Sequence, residues 1–286
     1  MWLLITGLVV TGLSWAAAWS RLGLATEYSF FPLWVGYILT VNGLSETLFR
    51  TSLLSRMGWR FLALFAVSIP MWWFFEYMNS IVHNWHYLFA APISSLHYEI
   101  QASIDFSTVI PAVLSASFVA FQFLRRERLT QIQARIPQAA LAAGFVLTFV
   151  LFAVLQLFPN ETFPLVWIIP ILFLEPLNYA FNPGASFSRL IERGQLTLPV
   201  SLALATFVTG FCWEFWNYYS LPKWVYTIPY VDFCKIFEMP LLGYLGYPFF
   251  GLIVFGYTAL VLRVITGENL VDLFSAEAAE ASERFG

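Results

Sequence analysis

Apolar residues run along this chain in long blocks, without the two-residue alternation of a half-buried strand or the about 3.6-residue period of a soluble amphipathic helix. Eight blocks stand out, at roughly 2–20, 29–49, 59–80, 104–124, 138–158, 163–182, 197–218 and 244–264. Each approaches the about 20 residues that a helix needs to cross a hydrocarbon core. Continuous rather than alternating hydrophobicity predicts helices, not the strands of a barrel. The expected fold class is an all-α polytopic membrane protein with about eight transmembrane helices. The block at Met1–Ala18 lacks a basic leading region, so it reads as a retained first helix rather than a cleaved signal. Residues 267–286 are acidic and small, which predicts a short cytoplasmic tail.

The polar positions inside these blocks are few, and they repeat. Glu76-Tyr77-Met78-Asn79 and Glu214-Phe215-Trp216-Asn217 are two copies of one Glu-x-x-Asn motif, each inside an aromatic cluster. Trp85-His86-Tyr87 follows the first copy and Trp224-Val225-Tyr226 the second. Fourteen residues past each Trp stands an aromatic–Glu pair, Tyr98-Glu99 and Phe237-Glu238, and Arg125 and Arg263 follow at matched distances. Trp34 precedes Asn42 by eight residues, and Trp167 precedes Glu175 by eight. The spacing divides the chain into a first four-helix repeat over 1–136 and a second over 137–266. An even number of crossings per half makes the two repeats parallel, related by an axis along the membrane normal. Such an arrangement predicts a shared cavity between the halves.

Composition strengthens the membrane reading. Hydrophobic residues make up 59% of the 286 and charged residues 11%, against about 25% charged in a soluble domain. The net charge of −3 and the lack of a basic tract give no site for nucleic acid. Eleven of the fourteen Lys and Arg residues follow even-numbered blocks; only Arg21, Lys223 and Lys235 lie on the other side. The positive-inside rule then places both termini in the cytoplasm of a bacterial inner membrane, with the long loops after the third and seventh spans facing outward. Cys212 and Cys234 are too few for a disulfide framework and read as free thiols. No feature sets an oligomeric state.

Carboxylates in apolar segments are costly, which singles out Glu76, Glu214 and Glu175. The i, i+3 spacing puts Asn79 beside Glu76 and Asn217 beside Glu214 on one helix face, where an amide could orient the acid. The blander alternative is that Glu and Asn tie neighbouring helices together by hydrogen bonds. Glu175 precedes Pro176, which kinks its helix. Glu99 and Glu238 occupy the outer loops, and Glu238 leads into a Pro- and Gly-broken apolar stretch that reads as re-entrant. Asp105 reads as a helix N-cap. His83, His86 and His97 match no metal spacing, so no metal site is expected. Nucleotide, dinucleotide, hydrolase and zinc-protease motifs are all missing from the sequence, so no cofactor is expected.

Two helical halves with embedded acids and no cofactor motif resemble the small integral-membrane lycopene cyclases. Leu174-Glu175-Pro176 reverses the order of that family's Pro-Glu-Glu signature, and four spans per half exceed its three. The chemistry also resembles that of the bacterial tetrahymanol synthases, which rework a hopanoid ring. Both resemblances imply an intramembrane enzyme acting on a polyisoprenoid lipid by protonation-initiated cyclisation, isomerisation or hydration. On the residues themselves, Glu76 or Glu214 is the expected acid, and Glu238 or Glu175 the second carboxylate. Trp73, Trp213, Trp216 and Tyr218 are expected to stabilise a cation. Trp85, Tyr87, Glu99, Trp224 and Tyr226 are expected to complete the substrate pocket. The competing expectation is a proton-coupled transporter or lipid-translocating protein, which needs the same buried acids.

Overall fold

The computed structural model describes residues 1–125 and 133–275; Arg126, Arg128, Arg284 and the tail beyond residue 275 lie outside the described residues. Helices α1 (Trp2–Ser20), α2 (Gly23–Glu27) and α3 (Phe30–Phe49) open the chain. Glycines bring α1 and α3 into backbone contact. A Cβ at Gly36 would stand 2.6 Å from the Thr11 nitrogen, and one at Gly43 would stand 2.4 Å from the Leu4 nitrogen. Close backbone approach replaces the hydrophobic drive that is missing between helices in lipid.

After α4 (Leu53–Met57), α5 (Leu62–Val82) carries the first motif. The expected fourth span is two helices, α6 (Ser95–Phe106) and α7 (Val109–Leu124), with a break at Ser107 and Thr108. Ser68 of α5 stitches this break: its hydroxyl donates to the Phe106 carbonyl at 2.5 Å and accepts from the Ile110 amide at 3.1 Å. Freed backbone groups are thus satisfied without water, as a buried break requires. The chain continues through α8 (Gln138–Leu157), α9 (Pro159–Thr162), α10 (Leu165–Phe181), α11 (Phe187–Glu192) and α12 (Thr197–Tyr218). It ends with α13 (Gly246–Thr266) and α14 (Leu270–Phe274).

Among the described residues, six helical stretches are long and apolar enough to cross a membrane: Trp2–Ser20, Leu53–Val82, Ser95–Leu124, Gln138–Leu157, Thr197–Tyr218 and Leu241–Thr266. The protein is a largely helical, multi-pass membrane protein. The other two expected spans form helices as well, but α10 is only 17 residues long and α3 carries Asn42, Ser45 and Glu46. Central helices α5, α7, α12 and α13 share one core around Phe75, Met78, Leu114, Trp213 and Phe255. Leu33, Trp34 and Ile38 of α3 and Val166 and Ile169 of α10 join this core, α1 packs mainly on α3, and α8 buries only Thr148 and Leu155.

The loops after α5 and α12 are not helical. Strands β1 (Trp85–Leu88) and β2 (Lys223–Tyr226) pair antiparallel, with Trp85 opposite Tyr226, His86 opposite Val225 and Tyr87 opposite Trp224. The Trp and Tyr of each motif therefore face the Tyr and Trp of the other. A second short ribbon joins β3 (Lys235–Ile236) to β4 (Met239–Pro240). The Pro- and Gly-broken stretch becomes β4, a tight turn over Leu241–Leu245 and the start of α13.

At the opposite end, α14 folds back beneath α4 and α7. The Arg56 guanidinium donates to the Leu273 and Ser275 carbonyls at 2.7 and 2.8 Å, and the buried Phe274 ring packs against Phe118 and Phe255.

Candidate functional site

Each motif asparagine holds a strand, not a carboxylate. Asn79 Nδ2 donates to the Trp85 carbonyl at 2.8 Å, and its Oδ1 accepts from the Trp85 amide at 3.1 Å. Asn217 Nδ2 donates to the Trp224 carbonyl at 2.7 Å, and its Oδ1 accepts from the Trp224 amide at 2.8 Å. Each helix end therefore clasps both sides of the first residue in the Trp-x-Tyr stretch. The direct Asn-to-Glu contact expected from i, i+3 spacing is replaced by an indirect arrangement in which Asn places the ring that meets the Glu.

Both glutamates gather donors on a single oxygen. Glu76 Oε1 accepts from Tyr87 Oη at 2.6 Å, Trp72 Nε1 at 3.0 Å and Trp85 Nε1 at 3.1 Å. Glu214 Oε1 accepts from Tyr226 Oη and Tyr247 Oη, both at 2.7 Å. Trp224 Nε1 stands 3.5 Å from that oxygen but only 2.9 Å from Tyr226 Oη, so its stronger bond goes to the phenol. Tyr87 and Tyr226 lie in the loops, where burial first, and the adjacent carboxylate second, raise their pKa well above an ordinary phenol's. They remain neutral donors, so Oε1 is an acceptor in both copies.

The copies differ in their surroundings. Glu214 is fully buried, and its Oε2 has no hydrogen-bond partner among the described residues. It lines a cavity of about 160 Å³, with Trp72, Trp85, Trp213, Tyr226, Tyr247 and Phe250 among its walls. Glu76 is only partly buried and does not line this cavity.

Of the expected pocket residues, Trp85, Tyr87, Trp213, Trp224 and Tyr226 line the cavity with Glu214. The others stand elsewhere. Trp73 donates to Ser103 Oγ at 3.0 Å on the α6 side. Trp216 is buried against Trp34 and Tyr37, and Tyr218 is 49% exposed. Glu99 is exposed. Glu238 pairs with Lys223, which itself reaches the cavity. Glu175 is occupied at the start of α11: Ser186 Oγ donates to it at 2.5 Å, the Ser188 amide at 2.8 Å and the Phe187 amide at 3.0 Å. Asn42 plays the same part for α4, where its Oδ1 accepts from the Leu54 amide at 2.9 Å.

Sequence reasoning passed over Trp72, Tyr247 and Asp105. Asp105 lies inside α6 near its C-terminal end rather than at a helix start, and it lines the cavity; the cap of α6 is Ser94, whose hydroxyl accepts from the His97 amide. Tyr247 had a signal, since Gly210 stands four residues before Glu214 where Trp72 stands before Glu76. Among the described residues, no group of three or more His, Cys, Asp or Glu side chains is placed to hold a metal ion, and both cysteines are free. No protein-family model, curated protein or solved structure matches this chain.

Proposed function

We propose that this protein is an intramembrane enzyme that protonates a double bond of a polyisoprenoid lipid, with Glu214 as the acid. One observation carries the reading: a fully buried carboxyl has one oxygen saturated by phenol donors and the other unpartnered, beside an aromatic cavity. A proton held by Glu214 resides on Oε2, because Oε1 already accepts two short bonds. Proton transfer to an alkene leaves a tertiary cation, and the faces of Trp85, Trp213 and Tyr226 attract positive charge. A largely apolar surround also limits the water that could quench the cation early.

Cavity size sharpens the substrate. An apolar cavity of about 150 Å³ holds a benzene ring, so about 160 Å³ admits one terminal isoprenoid unit. A whole hopanoid or carotenoid would occupy the site end-first, its remainder lying toward the lipid.

The two-repeat organisation, 1–136 and 137–266 with eight crossings, belongs to the same proposal. Support comes from the matched Asn clasps, the matched capping roles of Asn42 and Glu175, and the reciprocal register of β1 and β2. The orientation, with both termini in the cytoplasm of a bacterial inner membrane, rests on the Arg distribution.

Lipid extracts of the native host, of its deletion strain and of the strain complemented with Glu214→Gln test the reading. One isoprenoid product should vanish on deletion, return with the wild-type gene and stay missing with Glu214→Gln at normal protein levels. Identical lipid profiles in all strains would sink it. Proton-driven lipid transport by the purified protein in liposomes would favour the transporter instead.

A further inference from the structure

Two carboxylates line the cavity among the described residues, and they come from different parts of the chain. Glu214 reaches it from α12, and Asp105 from the last turn of α6. Glu238 is paired with Lys223, and Glu175 is bonded to the start of α11. Neither lines the cavity. A reaction begun by an acid and ended by loss of a proton from a different carbon is served by a second basic group on the same space. The partners of Asp105 fit that need. The Phe31 amide, in the first turn of α3, lies beside its carboxylate. That helix-start amide offsets part of the cost of burying a charged carboxylate. Tyr98, Gln101 and Phe106 of the same helix also line the cavity. Gln101 Nε2 donates to the Glu27 carbonyl at 2.7 Å.

We propose that Asp105 is the proton acceptor that ends the reaction started by Glu214. The assignment rests on Glu214 acting as the acid. The Glu214 Oε2–H bond breaks as the alkene π pair forms a new C–H bond, which leaves a tertiary cation. Asp105 then removes a proton from the carbon next to the cation, and the C–H electron pair becomes the new double bond. The product has the same mass as the substrate, nothing is oxidised or reduced, and one proton enters as another leaves. Exchange of both carboxyls with water resets the pair.

Membranes isolated from the complemented deletion strain, incubated in heavy water, distinguish the roles by mass spectrometry of the lipid fraction. Wild-type protein should yield a product isomeric with its substrate and carrying one added deuterium. Asp105→Asn should lower product by about a hundredfold, the usual scale for a general base. Asp105→Glu should restore part of it. If the amide variant does not accumulate, Asp105→Ser takes its place. Product from Asp105→Asn within a few-fold of wild type would overturn the proposal, as would equal loss in the Glu and Asn variants. A product heavier by one water would leave Glu214 as the acid but remove Asp105 as the acceptor. A deletion strain with unchanged lipids would instead defeat the protonation reading itself.

Discussion

At position 72 the chain carries tryptophan and at position 210 glycine, each four residues before its motif glutamate. On a helix that spacing places the side chain beside the carboxylate. Trp72 fills the place with an indole that donates to Glu76. Gly210 leaves it empty, and the Tyr247 ring from α13 takes it: a Cβ on Gly210 would stand 2.5 Å from that ring. The single exchange ties Glu214 to a second transmembrane helix while Glu76 stays with its own. Gly210→Ala should therefore push Tyr247 away from Glu214. The expected cost is about 1–3 kcal/mol, the range for overpacking a filled site, with loss of isoprenoid product. Thermal unfolding in detergent and lipid extraction would measure the two effects. Tyr247→Phe, which keeps the ring and drops the donor, should lower product with a smaller loss of stability.

At the scale of elements, polar side chains hold the ends of helices to the next segment of chain. Asn79 and Asn217 clasp strands, whereas Asn42 and Glu175 cap short helices. These roles predict different phenotypes. Asn217→Ala leaves the half-buried Trp224 amide and carbonyl without their partners, which costs up to about 1–3 kcal/mol per unsatisfied group. It also frees β2, which carries three cavity residues, so stability and product should fall together. Glu175→Ala removes a cap worth about 0.5–2 kcal/mol. Its stability should fall by that amount, measured by unfolding, while product per folded molecule stays near the wild-type level. A selective loss of product in Glu175→Ala would return that residue to the chemistry.

Across the whole molecule the cavity forms where α6, α12, α13 and the β1–β2 ribbon meet. Its walls come from residues as far apart as Phe30 and Phe250. The other end is closed by α14, whose Arg56 contacts reach across more than two hundred positions of sequence. Arg56→Ala should release that helix, because hydrogen bonds from a charged donor contribute about 1.5–3 kcal/mol each. Limited proteolysis should then cut near residues 266–270 faster than in the wild type, with the site at the opposite end unaffected. Equal proteolysis rates would mean that burial of Phe274 alone keeps α14 in place.

The order of residues was enough to show a helical membrane protein, the Glu-x-x-Asn copies and the ring-bearing stretches after them. Long apolar blocks have one stable outcome in lipid, and matched spacings survive folding. Most helices therefore appear near their expected positions, and Trp85, Tyr87, Trp224 and Tyr226 do meet the motif glutamates or their cavity. What a side chain faces depends on helix rotation and on neighbours distant in sequence, and spacing alone carries neither. Packing put Glu214 on the cavity and left Glu76 outside it, paired Glu238 with Lys223, and bound Glu175 to the start of α11. It also opened the fourth span at Ser107 and Thr108, which left Asp105 on the cavity wall instead of at a helix start.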